Sequence, residues 1–346
     1  MVALIGCTSA KPPRGVVLVI GDGMGPGQVD LLLRAHPDGA LAEMMRDGEI
    51  GLVDTTPFGA LVTDSAAGGT ALATGVQTRP RMLSVDPDGR RVETLLEAAA
   101  RDGLATGVVT TEDLTDATPA AFLAHDVDRN DSAAIAAQEL AAPPTIAIGG
   151  GAKWLHHPPE SMQLVADGAL PYRSRTARPS LASLTTKALD AVSRNPNGFV
   201  LVVEGALIDN ACHEHLAPEL LGELLDLDDA LAVLWPRARA GEILLVVTAD
   251  HETGGFGLQF RELAEPPPAV KLASGAMWEP TADFGSPSVL DDLRRGKSSP
   301  TVVWATPAHT AALVPLVAAG PGATAFTGFH EQWQIGRLLR ASIGGR

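Results

Sequence analysis

The chain has 346 residues, 45% of them hydrophobic and 19% charged, with a formal net charge of −15. That is enough chain to bury a large core, and the acidity excludes a general nucleic-acid or anionic-membrane binder, which needs basic surface. Two cysteines, Cys7 and Cys212, exclude a disulfide framework.

Leu4-Ile5-Gly6-Cys7 resembles the lipobox of bacterial lipoproteins, whose cysteine becomes lipidated. Residues 1–14 are therefore expected to form an N-terminal tether, with Cys7 as a candidate lipid anchor and a periplasmic or extracellular location. Only Val2 to Gly6 precede the cysteine, fewer than the roughly 7–15 apolar residues of a full signal. No other segment reaches the roughly 18 apolar residues of a membrane span.

Apolar, β-branched runs predict strands at 15–21, 58–63, 104–110, 144–148, 199–204, 243–248 and 312–318. Between them, amphipathic spacing predicts helices at 27–35, 66–74, 92–102, 131–141, 181–194, 217–235 and 330–342, several closed by Gly103, Gly198 or Gly241. Such alternation means an α/β fold with a mostly parallel central sheet and helices on both faces. The stretch 256–303, with Pro266-Pro267-Pro268 and weak periodicity, reads as an irregular insertion in one catalytic domain spanning 15–346.

Four separated stretches carry candidate polar groups, three of them at the ends of these apolar runs. Asp22 ends Val16-Val17-Leu18-Val19-Ile20-Gly21; Glu204 ends Val200-Leu201-Val202-Val203, with Asp209 and His213 just beyond; Asp250-His251 follows Leu244-Leu245-Val246-Val247-Thr248-Ala249; and His309 lies in Thr306-Pro307-Ala308-His309. Ligands bind where the carboxyl ends of parallel strands meet, so these groups are expected to converge. Any one reads as a loop residue, but carboxylates gathered with imidazoles suit zinc. Ser65, in Thr63-Asp64-Ser65-Ala66-Ala67-Gly68, is placed at a helix N-terminus, where backbone N–H groups favour an anion. Alone it would be an ordinary capping serine.

Taken in order, Gly21-Asp22-Gly23-Met24-Gly25, Asp64-Ser65-Ala66-Ala67, Asp116-Ala117-Thr118-Pro119-Ala120, Glu204-Gly205-Ala206 with Ile208-Asp209, Thr248-Ala249-Asp250-His251 and Ala308-His309-Thr310 resemble the successive motifs of the alkaline phosphatases across about residues 15–330. The resemblance implies that family's three-layer sandwich and a site holding two Zn2+ and one Mg2+. It assigns Asp209, His213 and His309 to one zinc, Asp22, Asp250 and His251 to the other, and Asp22, Thr118 and Glu204 to magnesium. Ser65 becomes the nucleophile that carries a phosphoserine, Arg129 the phosphate-binding residue, and Asp116 a holder of magnesium-bound water. The implied reaction is hydrolysis of small-molecule phosphate monoesters. Arg129 can pair two non-bridging oxygens in its planar fork, which favours monoesters over diesters.

The family's better-known bacterial member carries a lysine where this chain has Asn210, and the segment 256–303 would be a reduced form of the loops that build the family's crown and dimer contacts. Oligomeric state is thus open, with a homodimer as the candidate assembly. Cys212, beside His213, is expected to be a small buried residue rather than a zinc ligand, and His215 a solvent-facing loop histidine rather than an indirect support to substrate or metal. Two rival readings are a related metal-dependent phosphodiesterase or sulfatase, and a metal- or phosphate-binding lipoprotein without catalysis. Sulfatases need a Cys/Ser-x-Pro-x-Arg context that the sequence around Ser65 lacks, and the non-enzyme reading would be marked by a lost nucleophile.

Overall fold

The computed structural model describes residues 13–258, 270–271, 277–278, 288–297 and 302–344. Cys7 and most of the tether, together with much of the stretch 259–301, lie outside the described residues. Seven strands appear before the irregular stretch: β1 Gly15–Gly21, β2 Glu49–Asp54, β3 Ala105–Asp113, β4 Ile146–Gly150, β5 Met162–Leu164, β6 Phe199–Gly205 and β7 Ile243–Thr248. With Val314–Ala319 and Gly328–Glu331 they form one nine-stranded sheet, in the order Gly328–Glu331, β2, Val314–Ala319, β7, β1, β6, β3, β4, β5. All neighbours run parallel except Val314–Ala319, which is antiparallel to both β2 and β7.

The centre of that sheet forms because its strands are fully apolar. Val16 to Ile20, Val200 to Val203 and Leu244 to Val246 are almost inaccessible to solvent, as expected for parallel strands covered on both faces. Helices make the two outer layers. One group comprises α1 Pro26–Ala35, α2 Ala40–Asp47, α7 Leu181–Val192, α8 Leu207–His213 and α9 Ala217–Arg239; the other comprises α3 Ser65–Thr74, α4 Leu95–Arg101, α5 Ala117–Leu123 and the final helix Gln332–Ile343, with α6 Ser132–Ala141 against α5. Their starts follow capping chemistry: Thr94 and Glu97 make a reciprocal capping box on α4, and Ser180 caps α7.

One predicted strand is wrong. Residues 58–63 are loop, and Phe58, Leu61 and Val62 are exposed. The sheet strand in this region is instead Glu49–Asp54, where Gly51 and Val53 face inward while the larger Ile50 and Leu52 face out, so apolar residues lie on both faces. Helix α9 also runs past its predicted end, with Pro236 inside its last turns.

Register brings the polar groups to one edge. Ile20 is paired with both Glu204 and Thr248, and Glu204 with Thr110, so Glu204 and Thr110 share one row across the sheet. Asp22 and Asp250 follow two residues beyond that row on adjacent strands. Helix α3 supplies the serine from the side. All ten of its residues are buried, and Gly68 lets it touch the next loop, since a Cβ there would lie 2.8 Å from Asp250 O. The small residues of α3 therefore set how closely Ser65 approaches the strand ends.

Candidate active site

Ser65 is the first helical residue of α3, not its cap. The cap is Asp64, whose Oδ1 accepts from Ala67 N at 3.1 Å while Oδ2 accepts from Arg81 N at 3.0 Å. Ser65 Oγ lies 3.1 Å from His251 Nε2. That nitrogen also lies 3.5 Å from Asp22 Oδ1 and 3.3 Å from Asp250 Oδ2.

Hydrogen bonds fix each imidazole. His309 Nδ1 donates to Thr63 O at 2.9 Å and His213 Nδ1 to Pro307 O at 2.6 Å, because a carbonyl can only accept. Thr253 Oγ1 donates to Asp209 Oδ1, so its lone pair takes the hydrogen of His251 Nδ1 at 3.2 Å. All three Nε2 atoms therefore turn toward a common centre, as they do in histidines oriented for metal. His213 Nε2 lies 3.1 Å from both Asp209 Oδ2 and His309 Nε2, and His309 Nε2 lies 3.7 Å from Asp209 Oδ1.

Oxygen atoms complete the picture. Asp22 Oδ1, Asp250 Oδ2, Glu204 Oε1 and Thr118 Oγ1 are all buried without a hydrogen-bond partner. Buried polar atoms are normally satisfied, and cations bound at this edge would satisfy these four. Donor atoms of Asp22, Asp250 and His251 lie within 4.8 Å of one another, as do those of Asp209, His251 and His309. The nitrogen-and-carboxylate clusters suit zinc, and the oxygen-only set of Asp22, Thr118 and Glu204 suits magnesium.

Electrostatics agree. Burial raises Asp22 well above the usual carboxylate range, reinforced by Asp250, and raises Glu204 to about 8 and Asp250 to about 6. Burial would also raise Asp209, but the hydrogen bond from His213 and the nearby His251 hold it at about 2. That same bond lifts His213 to about 9. Burial lowers His251 to about 4 and lowers His309 as well. A cationic His213 thus neutralises Asp209 in the metal-free protein, and any divalent ion bound there must displace its proton.

Arg129 reaches the same cleft, a cavity of about 270 Å³ lined by Asp22, Ser65, Asp116, Arg129, Asp209 and Asn210 among others. Its Nη1 lies 3.4 Å from Asp64 Oδ2 and its Nη2 3.5 Å from Asp116 Oδ1. Its backbone is held by Arg81, whose O accepts from Arg129 N at 2.8 Å. Among the described residues, the candidate catalytic and metal-ligating residues from the sequence fall at this edge. Missed were the supporting groups: Asp64 as cap and arginine partner, Thr110 donating to Glu204, and Thr253 joining Asp209 to His251. Thr110 shares a row with Glu204 across β3 and β6, a relation that only the register of the folded sheet reveals. Cys212 is buried, accepts a hydrogen bond from Gln28 Nε2 at 3.4 Å, and takes no part in either cluster.

Comparison with known proteins places this geometry. The model of the family described as alkaline phosphatase matches residues 13–156 and 152–277. The chain belongs to the alkaline phosphatase family. It is thus an enzyme of the phosphatase class. It is 32% identical to alkaline phosphatase 4 of Bacillus subtilis over 289 residues, covering 70% of this chain and 62% of that protein. Alkaline phosphatase of Escherichia coli is 28% identical over 433 residues, covering 99% of this chain and 88% of that protein. Among solved structures, a mutant alkaline phosphatase of the Antarctic bacterium TAB5, with Mg bound in its M3 site, superposes with a TM-score of 0.80 at 27% identity, covering 96% of this chain and 99% of the other. The family fold is the α/β arrangement described above.

The acid–base pattern makes a prediction for the metal-free enzyme. Glu204 and Glu112, both raised by burial to about 8, and His213, raised to about 9, have folded pKa values above their unfolded ones. Folding therefore retains protons that the unfolded chain releases, and stability is lost as pH rises. His251 and Asp209, lowered to about 4 and about 2, exert their effects at lower pH. Chelator-treated protein should lose stability between about pH 6.5 and 8.5, by up to ~1.4 kcal/mol per pH unit for each retained proton. Urea midpoints across that window test this, and a midpoint that rises with pH would contradict it.

Proposed function

We propose that this protein hydrolyses phosphate monoesters to alcohol and inorganic phosphate through a phosphoserine on Ser65. The observation that carries this reading is Ser65 Oγ, buried at the start of α3 and 3.1 Å from an imidazole nitrogen that also faces two unpaired carboxylate oxygens. A serine hydroxyl is a weak nucleophile at neutral pH and must be activated. Two zinc ions held by Asp209, His213 and His309 and by Asp22, Asp250 and His251, with magnesium on Asp22, Thr118 and Glu204, would lower the serine pKa and stabilise charge on the departing oxygen.

The chain's own groups do the rest. The first turn of α3 offers backbone N–H groups and the positive end of its dipole to the phosphoryl oxygens. Arg129 offers a planar fork to two of them. Its present contacts with Asp64 and Asp116 are long, 3.4 and 3.5 Å, so a phosphate can replace them at little cost. Burial lowers the Arg129 pKa, but the fields of Asp116 and Asp64 more than offset that and keep it charged. Ser65 Oγ forms its bond to phosphorus as the ester oxygen leaves with the electron pair. Water then attacks the phosphoserine, releasing phosphate and restoring the hydroxyl.

Ser65→Ala removes the only atom that forms the covalent bond while leaving every proposed metal ligand in place. Acid-quenched protein incubated with labelled phosphate should therefore carry no phosphoserine, although metal content stays near the wild-type value. Label on another residue would move the nucleophile elsewhere.

Arg129→Ala tests the monoester preference. Losing charge-assisted hydrogen bonds worth about 1.5–3 kcal/mol should lower monoester kcat/KM by about 10- to 150-fold. Diesters offer less charge to the guanidinium and should lose less. Equal losses on both substrates, or a wild-type preference for diesters, would favour a phosphodiesterase.

A further inference from the structure

Helix α8 ends at His213, and the chain turns at His215 with φ of 55°, a left-handed conformation that costs a non-glycine residue energy. Strain of this kind persists only where the surroundings hold it. Here the turn aims the His215 ring at residues 304–306. Its Nε2 lies 3.0 Å from Thr306 O, so it is the protonated nitrogen, and its ring stacks on Trp304 with centroids 5.0 Å apart and planes 13° from parallel.

The next carbonyl along, Pro307 O, is the one that accepts from His213 Nδ1. Two residues further on, His309 presents Nε2 to His213 Nε2 at 3.1 Å. Adjacent carbonyls of one loop thus each take a hydrogen bond from an imidazole at the end of α8. Across the loop, Gly254 holds the other side: its N donates to Ala308 O at 3.0 Å and its O accepts from Ala305 N at 2.9 Å. Trp304 lies directly over Gly254, where a Cβ would come 2.7 Å from the ring, and Phe256 meets its edge at 4.7 Å.

We propose that His215 is a positioning residue for the His213 and His309 pair. Its stack on Trp304 and its bond to Thr306 O hold the Thr306–Pro307 turn, so that Pro307 O keeps the His213 ring oriented with Nε2 facing Asp209 and His309. The sequence favoured a solvent-facing loop histidine over one that supports substrate or metal indirectly; the ring is exposed, yet both its face and its Nε2 are engaged. This inference rests on the reading of Asp209, His213 and His309 as a zinc site. A histidine that merely stabilised the surface loop would affect folding and leave zinc affinity unchanged.

The test uses the full chain stripped of metal and titrated with zinc against a chromogenic chelator, as wild type, His215→Ala and His215→Gln. Groups that orient a metal ligand change affinity by about 10- to 100-fold when removed. His215→Ala should weaken one zinc equivalent by that factor, His215→Gln, which keeps a side-chain N–H donor, should recover part of it, and the urea midpoint of the metal-free protein should match wild type. Unchanged zinc affinity in His215→Ala, with wild type binding zinc normally, would overturn the positioning role alone. Weakening matched by an equal loss of metal-free stability would overturn it too. A wild-type chain that binds no zinc would overturn the underlying site reading as well.

Discussion

The arrangement turns on buried negative charge. Asp22, Glu204, Asp209 and Asp250 lie almost wholly inside the protein at one edge of the sheet, and an unpaired carboxylate in such surroundings costs several kcal/mol. The chain supplies too little compensation of its own. His213 answers Asp209, and Thr110 and Gly23 N reach Glu204 and Asp250, but an oxygen of each of Asp22, Glu204 and Asp250 stays unbonded. Protonation relieves part of this in the metal-free protein, and divalent cations would relieve all of it. An acidic protein can then present a positively charged hole to a phosphate.

The scaffold exists to hold that charge in place. Strands β1, β6 and β7, apolar up to their carboxyl ends, run side by side, so the residues at and just past those ends are forced together whatever their polarity. The densely packed α3, which Gly68 lets approach Asp250, brings Ser65 to the cluster. The loop bearing His309 is registered by a two-residue ladder against Glu252–Thr253, which directly follows Asp250-His251. Candidate ligands from distant parts of the sequence are thereby brought together by backbone hydrogen bonds.

Sequence pattern revealed the parts governed by strong periodicity. Gly15–Gly21, Phe199–Gly205 and Ile243–Thr248 are apolar runs interrupted only at Glu204 and Thr248 near their carboxyl ends, and their strand bounds emerged almost unaltered. Pattern failed where burial and polarity part company. The 58–63 run is apolar but exposed, whereas Glu49–Asp54 turns its large residues outward and its glycine inward. Short helices α5 and α8 were missed because each is only seven residues long, too short for an amphipathic repeat, and carries candidate site residues, Thr118 in one and Asp209 and His213 in the other. The candidate site was legible because its residues sit at fixed offsets from strand ends. Its supports were not, since Thr253, Asp64 and Thr110 act through distances that only the folded chain defines.

The central claim is that these buried carboxylates and imidazoles hold zinc and magnesium and that hydrolysis depends on them. Elemental analysis of the purified protein, paired with hydrolysis of a generic aryl phosphate before chelation, after it and on adding metals back, tests this most directly. The account predicts two zinc ions and one magnesium ion per chain, activity abolished by chelator, and zinc with magnesium restoring more activity than either alone. Full activity in the presence of chelator, or a protein that hydrolyses the ester while holding no divalent metal, would contradict it.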